Sequence, residues 1–304
     1  MMLPKLGLGC AAFGVLTDAT SDSAVMALID HAWNAGIRYF DTSPLYGSGR
    51  SEVLLGRALA DHRPGAVLST KVGHRLTAPF GARPSPAERR TDFSARFVVS
   101  SVDESLTRLQ RETIDLVLLH DPDEGLLDEA MDEALPALRE LQHRGVIAAV
   151  GIGTNRVDTA LRAIARAKLD VVLVAGRHTL LDRSADTRLL PACARADLPV
   201  ILGGLLNSGL LADRPGRETF DYAPAPAEML AMRDRLAGIC SAHHVPLRAA
   251  ALQLAGRLAR ATTLLGPATV EELKDSLAML KLAIPEDCWL ALDVVGETDA
   301  VALR

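Results

Sequence analysis

Asp41-Thr42-Ser43-Pro44-Leu45-Tyr46-Gly47 follows an apolar run, Lys71 follows Ala66-Val67-Leu68-Ser69-Thr70, and His120 follows Ile114-Asp115-Leu116-Val117-Leu118-Leu119. A carboxylate, a phenol, an ammonium and an imidazole brought to one place can move a proton on and off a carbinol oxygen while a hydride leaves its carbon. Taken singly, each has a plain structural use: Asp41 as a turn former or cap, Tyr46 as a loop packing residue, Lys71 as a surface ammonium, His120 as a satisfied strand-end histidine. Taken together they are harder to explain that way. A lysine and a histidine closing apolar runs cost free energy to point inward unless each is paired. A shared carboxylate and phenol would pair them, and the chemistry indicated is oxidoreduction.

Such a set needs elements that end side by side. Short β-branched or leucine-rich runs near 6–9, 37–40, 66–71, 114–120, 146–152, 170–176, 199–203 and 262–266 alternate with amphipathic stretches near 22–35, 49–60, 94–110, 128–144, 156–167, 186–197, 226–243 and 269–281. That is the pattern of parallel strands separated by crossover helices. Eight strand-helix units predict an α/β chain forming a single (β/α)8 TIM barrel domain over residues 1–304. Asp41, Lys71 and His120 then lie at the carboxyl ends of the second, third and fourth strands, where barrels carry their reactive groups. The competing doubly wound fold needs a glycine fingerprint leading straight into a helix. Here Gly7, Gly9 and Gly14 place the third glycine two positions late, and no helical pattern follows at once. The segments 77–92 and 212–226, rich in proline, glycine or arginine, are too long for tight turns and read as loops inserted over the active-site end, candidate substrate covers.

Composition narrows the partners. With 304 residues, 49% hydrophobic and 23% charged, the chain reads as a globular protein with a large core. A net charge of -5 without a distinct Lys/Arg face argues against nucleic acid. The N-terminal residues lack the features of a signal peptide and no run reaches membrane-spanning length, so a cytoplasmic protein with no membrane partner is expected. Cys10, Cys193, Cys240 and Cys288 are far apart and read as reduced core thiols. No metal site is expected: His243 and His244 diverge by about 100° on a helix, and Asp121-Pro122-Asp123 reads as a turn former. Trp33 and Trp289 fall in helical patterns as packing residues.

Several segments carry a family resemblance: Gly36-Ile37-Arg38-Tyr39-Phe40-Asp41-Thr42-Ser43-Pro44-Leu45-Tyr46-Gly47, Ser69-Thr70-Lys71-Val72-Gly73, Ser105-Leu106-Thr107-Arg108-Leu109 and Gly151-Ile152-Gly153-Thr154-Asn155. Nearly end to end, the chain resembles the aldo-keto reductase superfamily. Leu119-His120-Asp121-Pro122-Asp123, Gly176-Arg177-His178-Thr179-Leu180-Leu181-Asp182 and Asn207-Ser208-Gly209-Leu210-Leu211 are similar to the branch holding D-threo-aldose 1-dehydrogenase, L-fucose and L-galactose dehydrogenases and pyridoxal 4-dehydrogenase. Two positions depart from the pattern. His178 replaces an expected tyrosine, and Gly203 stands where many members stack an aromatic ring on the nicotinamide.

The resemblance implies that Tyr46 transfers the proton, that Lys71 lowers the phenol from its unperturbed value of about 10, that Asp41 orients Lys71, and that neutral His120 hydrogen-bonds the reacting oxygen. It also implies a nicotinamide cofactor across the barrel mouth. The carboxamide would lie near Thr154 and Asn155 with Arg177 beside them, the pyrophosphate along Gly204, Leu205, Asn207, Ser208, Gly209 and Leu210, and the adenosine near Gly266, Ala268, Thr269, Glu272 and Ser276. Members that prefer NADP hold its 2'-phosphate with lysine or arginine, whereas Gly266, Ala268 and Glu272 offer none, so NAD is expected over NADP; Arg257, Arg260 or Lys274 folding in would reverse this. The expected activity is oxidation of the anomeric carbon of an aldose such as L-fucose, L-galactose or D-arabinose to a lactone, on a small-molecule sugar or pyridoxal-like substrate. The rivals are a pyridoxal 4-dehydrogenase, a general NADPH-dependent aldehyde reductase and a non-catalytic cofactor-sensing subunit.

Overall fold

The computed structural model describes residues 3–15, 20–60, 65–82, 84–85, 88–122, 125–212, 218–221 and 223–302. Asp123, Pro215 and Gly216, read above as turn or loop residues, lie outside them. Eight parallel strands close into a barrel: β1 (Leu6–Gly9), β2 (Tyr39–Asp41), β3 (Val67–Val72), β4 (Ile114–His120), β5 (Ile147–Thr154), β6 (Val171–Ala175), β7 (Val200–Gly203) and β8 (Ala261–Leu265). Each pairs with its sequence neighbours, and β1 pairs with β8 to complete the ring. The eight strand runs expected from the sequence are therefore all present, with ends moved by one or two residues.

Alternation along the strands separates two cores. Tyr39, Leu116, Leu118, Ala149, Val171, Leu173, Ile201 and Leu264 fill the barrel interior. Their neighbours Phe40, Leu68, Val117, Leu119, Val150, Ile152, Val172, Val174, Leu202 and Leu265 face outward and pack under the helices. Because side chains change face at every residue, Asp41 shares the inward phase of Tyr39, and His120 that of Leu116 and Leu118. Lys71 shares its phase with Ser69, whose hydroxyl bonds Tyr39 in the interior. The parity that buries the barrel core thus carries three polar side chains to its mouth.

The outer layer comprises α1 (Asp22–Asn34), α2 (Arg50–Leu59), α3 (Ala95–Leu109), α4 (Leu127–Glu129 continuing through Ala130–Ala134 and Leu135–His143), α5 (Val157–Arg166), α6 (Leu189–Arg195), α7 (Ala227–Ala242), α8 (Leu247–Leu254), α9 (Val270–Met279) and α10 (Glu286–Ala302). Ser21, Ser94 and Thr269 cap α1, α3 and α9 through their hydroxyls. The middle of α4 is π-helical, with Leu135 N–H bonding back to Ala130; Pro136 has no N–H to donate in the next turn, which favours the wider local winding.

Two helices exceed the sequence expectation, α8 and α10, and α6 is shorter than the 186–197 stretch foreseen. The Ala-rich α8 has only eight residues, about two turns, too short a stretch for periodicity to give it a signature. Both extra helices begin after a proline, Pro246 and Pro285, and their start signal was available there. With α7 they form a second apolar cluster that includes Met232, Leu236, Leu247, Ala251, Trp289 and Leu292. Both long loops are pinned by short antiparallel pairs, His74–Arg75 with Arg90–Thr91 and Thr219–Phe220 with Ala223–Pro224. All four cysteines are free and buried. Among the described residues, no helix is long and apolar enough to cross a membrane.

Candidate active site

The strand ends of β2, β3 and β4 assemble a buried polar cluster. Lys71 Nζ donates to Asp41 Oδ2 at 2.6 Å and to the Thr42 carbonyl at 2.7 Å. Ser69 Oγ donates to the other Asp41 oxygen at 2.6 Å, and the Tyr39 hydroxyl lies 2.9 Å from Ser69 Oγ. Asp41 is thus held from two sides, which fixes the ammonium in turn. Burial works against the charge on Lys71, but the Asp41 carboxylate outweighs it and, with Tyr46, raises the ammonium well above its ordinary value. Lys71 therefore stays cationic with only 2% of its surface exposed. Its Nζ sits 4.8 Å from the centroid of the Tyr46 ring and interacts with the phenol hydroxyl.

Tyr46 belongs to a tight turn after β2, its N–H bonded to the Ser43 carbonyl at 3.0 Å. That turn is locked against the 3-10 turn Ala11–Gly14 that follows β1. A Cβ on Gly14 would lie 2.3 Å from Tyr46 C and 2.4 Å from Gly47 N, and one on Gly47 would lie 1.8 Å from Gly14 O. The buried Arg50 guanidinium braces the same turn, bonding the carbonyls of Phe13 at 2.5 Å and Thr20 at 2.7 Å and the Asp22 carboxylate at 2.6 Å.

His120 completes the set, its ring centroid 6.0 Å from that of Tyr46. Its Nδ1 lies 3.2 Å from Ser43 Oγ, and its Nε2 is 3.6 Å from Asp121 Oδ2, beyond hydrogen-bond reach. Burial first, then the charges of Lys71, His74 and Arg89, pushes the imidazole well below its ordinary value, so it is neutral near pH 7. The four residues singled out from the sequence therefore meet in one place.

Four further contributors were not read as site residues: Ser43, Ser69, His74 and Arg89. Ser69 carried a usable signal, because two positions before Lys71 on one strand is the same face. His74 and Arg89 come from the long loop after β3, where no periodicity indicates direction. The His74 ring stands edge-on to His120 at 5.0 Å between centroids.

The expected cofactor positions line the opposite side of the mouth. Thr154 is buried at the end of β5 and its Oγ1 accepts from Arg156 N–H at 3.0 Å. Arg177 donates to the Asn155 carbonyl at 2.7 Å, to Asp182 at 2.6 Å and to Asp221 at 2.5 Å. Its guanidinium is thus engaged by protein acceptors and braces the Asn155 backbone. Gly204 approaches the Gly176 backbone so closely that a Cβ would lie 2.9 Å from Gly176 N. Leu205 and Leu210 pack their side chains into the apolar clusters. Asn207, Ser208 and Gly209 all have positive φ, and both amide atoms of Asn207 are buried without a partner. A Cβ at Gly203 or Gly266 would meet nothing within 4 Å. An orphaned amide beside open backbone fits an extended polar ligand such as a dinucleotide.

At the start of α9, Thr269 Oγ1 accepts from Glu272 N–H at 3.2 Å, and the Glu272 carboxylate accepts from Ala268 N–H at 2.7 Å. Ser276 donates to the Glu272 carbonyl at 2.8 Å. The helix cap that this segment predicts is present. Arg257 lies over the Trp289 ring at 4.4 Å and 3.3 Å from Asp293, and Arg260 pairs with Asp197, so both are engaged away from this helix end. His178 Nδ1 lies 2.5 Å from Asp186, while its Nε2 is buried without a partner. No cluster of three or more candidate metal ligands occurs among the described residues.

The sequence profile of the aldo/keto reductase family matches residues 5–297. A D-threo-aldose 1-dehydrogenase from a Pseudomonas species is 39% identical over 311 residues, covering 96% of this chain and 94% of that protein. A pyridoxal 4-dehydrogenase from Microbacterium luteolum is 36% identical over 326 residues, covering 97% and 95% respectively. Among solved structures, an aldo-keto reductase from Bacillus halodurans in its holo form superimposes with a TM-score of 0.79 at 26% identity, covering 96% of this chain and 91% of that one.

Proposed function

The chain belongs to the aldo/keto reductase family and is an oxidoreductase, and from that premise we propose that it oxidises the anomeric carbon of an aldose to a lactone with NAD. The observation that carries the reading is the buried Lys71 ammonium, fixed by Asp41 at 2.6 Å and set 4.8 Å from the Tyr46 ring centroid. A cation beside a phenol favours the phenolate, which accepts the proton of the lactol hydroxyl. Neutral His120 hydrogen-bonds the same oxygen and holds the carbon behind it in one orientation. The nicotinamide, when bound, supplies the hydride acceptor. In the reducing direction Tyr46 gives its proton back to a carbonyl oxygen.

The aldose reading is supported by likeness to the D-threo-aldose 1-dehydrogenase over nearly the whole chain. L-fucose, L-galactose and D-arabinose are the first substrates to try. The pyridoxal 4-dehydrogenase relative supports a second substrate, a pyridoxal-type cyclic hemiacetal, with the same proton path. For the cofactor, a 2'-phosphate at the start of α9 would meet the Glu272 carboxylate on the N–H it needs, with Arg257 and Arg260 engaged elsewhere. That charge arrangement favours NAD.

Reduced-nicotinamide absorbance with NAD and NADP in parallel tests both choices. Fast NAD reduction by one sugar or by pyridoxal supports the reading and names the substrate class. Activity confined to NADPH and simple aldehydes indicates a general reductase, and no activity in either direction a cofactor-sensing subunit. Tyr46→Phe should lower turnover by about 10²- to 10⁴-fold while NADH still binds by fluorescence; unchanged turnover would remove Tyr46 from the proton path.

A further inference from the structure

We propose that His74 and Arg89 form a hydroxyl-binding subsite beside the catalytic pair, which makes His74 a specificity-determining residue for the oxygen on the carbon next to the reacting one. The inference deepens the aldose reading and rests on the placement of the reacting oxygen at Tyr46 and His120. His74 is 8% exposed, yet neither ring nitrogen has a hydrogen-bond partner. One nitrogen leans toward the His120 backbone without reaching hydrogen-bond geometry. Two orphaned nitrogens on one buried ring are costly unless a ligand satisfies them.

The position of the ring says which ligand. It stands edge-on to His120 at 5.0 Å between centroids, immediately beside the imidazole assigned to the reacting oxygen. It also lines a cleft of about 280 Å³ with Pro44, Leu76, Phe97 and the charged Arg75, Glu104 and Arg108, so the ring lies between that cleft and His120. Burial and the nearby Arg89 charge hold His74 down to about 4, so it is neutral at working pH. A neutral imidazole offers one donor and one acceptor, the complement of a hydroxyl. Arg89 contributes a buried Nε–H that also lacks a partner. Vicinal hydroxyls place a second oxygen about a hydrogen bond's length from the first, so a substrate whose reacting oxygen sits at His120 brings its neighbour to His74.

The test compares NADH-dependent reduction of glyceraldehyde and propanal, which differ in the hydroxyls next to the reacting carbonyl. Wild type should favour glyceraldehyde in kcat/KM by about tenfold or more. His74→Phe should bring that ratio close to one, mainly through KM for glyceraldehyde, and His74→Gln, which keeps a donor and an acceptor, should retain most of it. A wild-type ratio near one, or an unchanged ratio in His74→Phe, overturns the proposal. A general loss of folding would lower both substrates together and leave the ratio standing. Aldose oxidation by wild type is measured separately, so failure of the aldose reading shows there and failure of the subsite shows in the aldehyde ratio.

Discussion

Asp41 carries two tasks through its two oxygens, one held by Ser69 and one holding Lys71. Burial by itself would lower the ammonium, and the Asp41 charge is what raises it. Asp41→Asn keeps the shape and removes that charge. The Lys71 pKa should then fall, and an alkaline limb should enter the pH profile of kcat/KM at lower pH than in wild type. Breaking a buried pair of this kind also costs about 3–5 kcal/mol of stability, readable by denaturant unfolding. A profile identical to wild type would show that Lys71 takes its charge from elsewhere. Asp41, Tyr46, Lys71 and His120 were legible in the sequence because each closes or follows an apolar strand. His74 and Arg89 were not, because the loop that carries them is set by pairing His74 with Thr91 and Arg75 with Arg90, seventeen and fifteen residues apart, which no local pattern encodes.

Between elements, the two turns after β1 and β2 approach most closely at Gly14 and Gly47. At Gly14 the obstructing atoms are backbone atoms of Tyr46 and Gly47, which cannot swing aside as a side chain would. Gly14→Ala should therefore displace the Tyr46 phenol from Lys71 and lower kcat by tenfold or more, since a shift of about 1 Å can cost 10²-fold. The melting temperature should move far less, because the turn lies outside the strand ladders; unchanged kcat would mean that the turns separate at little cost. The strands themselves were readable from their apolar runs, whereas the inward phase of Asp41 and His120 was not, because a run such as Leu116-Val117-Leu118-Leu119 is apolar on both faces. The Ala-rich α8 escaped because six of its eight residues are buried, and only Arg248 and Gln253 are left to mark a polar side.

For the molecule as a whole, buried neutral histidines tie folding to acidity. His74 titrates at about 4 in the fold against an ordinary value of 6.5. Above pH 6.5 both folded and unfolded chains leave it neutral and its contribution is complete. As the pH falls from about 6.5 toward 4, the unfolded chain gains a proton that the fold refuses, and stability drops by about 1.4 kcal/mol per pH unit, of order 3 kcal/mol across the window. His120 acts in the same direction. Calorimetry at pH 7.5 and 5 should show a smaller fall in melting temperature for His74→Phe than for wild type, and equal falls would remove His74 from the acid response.

The ring closes through β1 and β8, with Leu6 opposite Thr263 and Thr263 N–H bonded to the Lys5 carbonyl at 2.9 Å. The wall behind Tyr46 hangs from β1, so its final setting waits on the strand that ends at Leu265. During synthesis a nascent chain already holding Asp41, Tyr46, Lys71 and His120 still lacks its closing seam. Closure of the site therefore waits on β8, through which β1 gains its second neighbour.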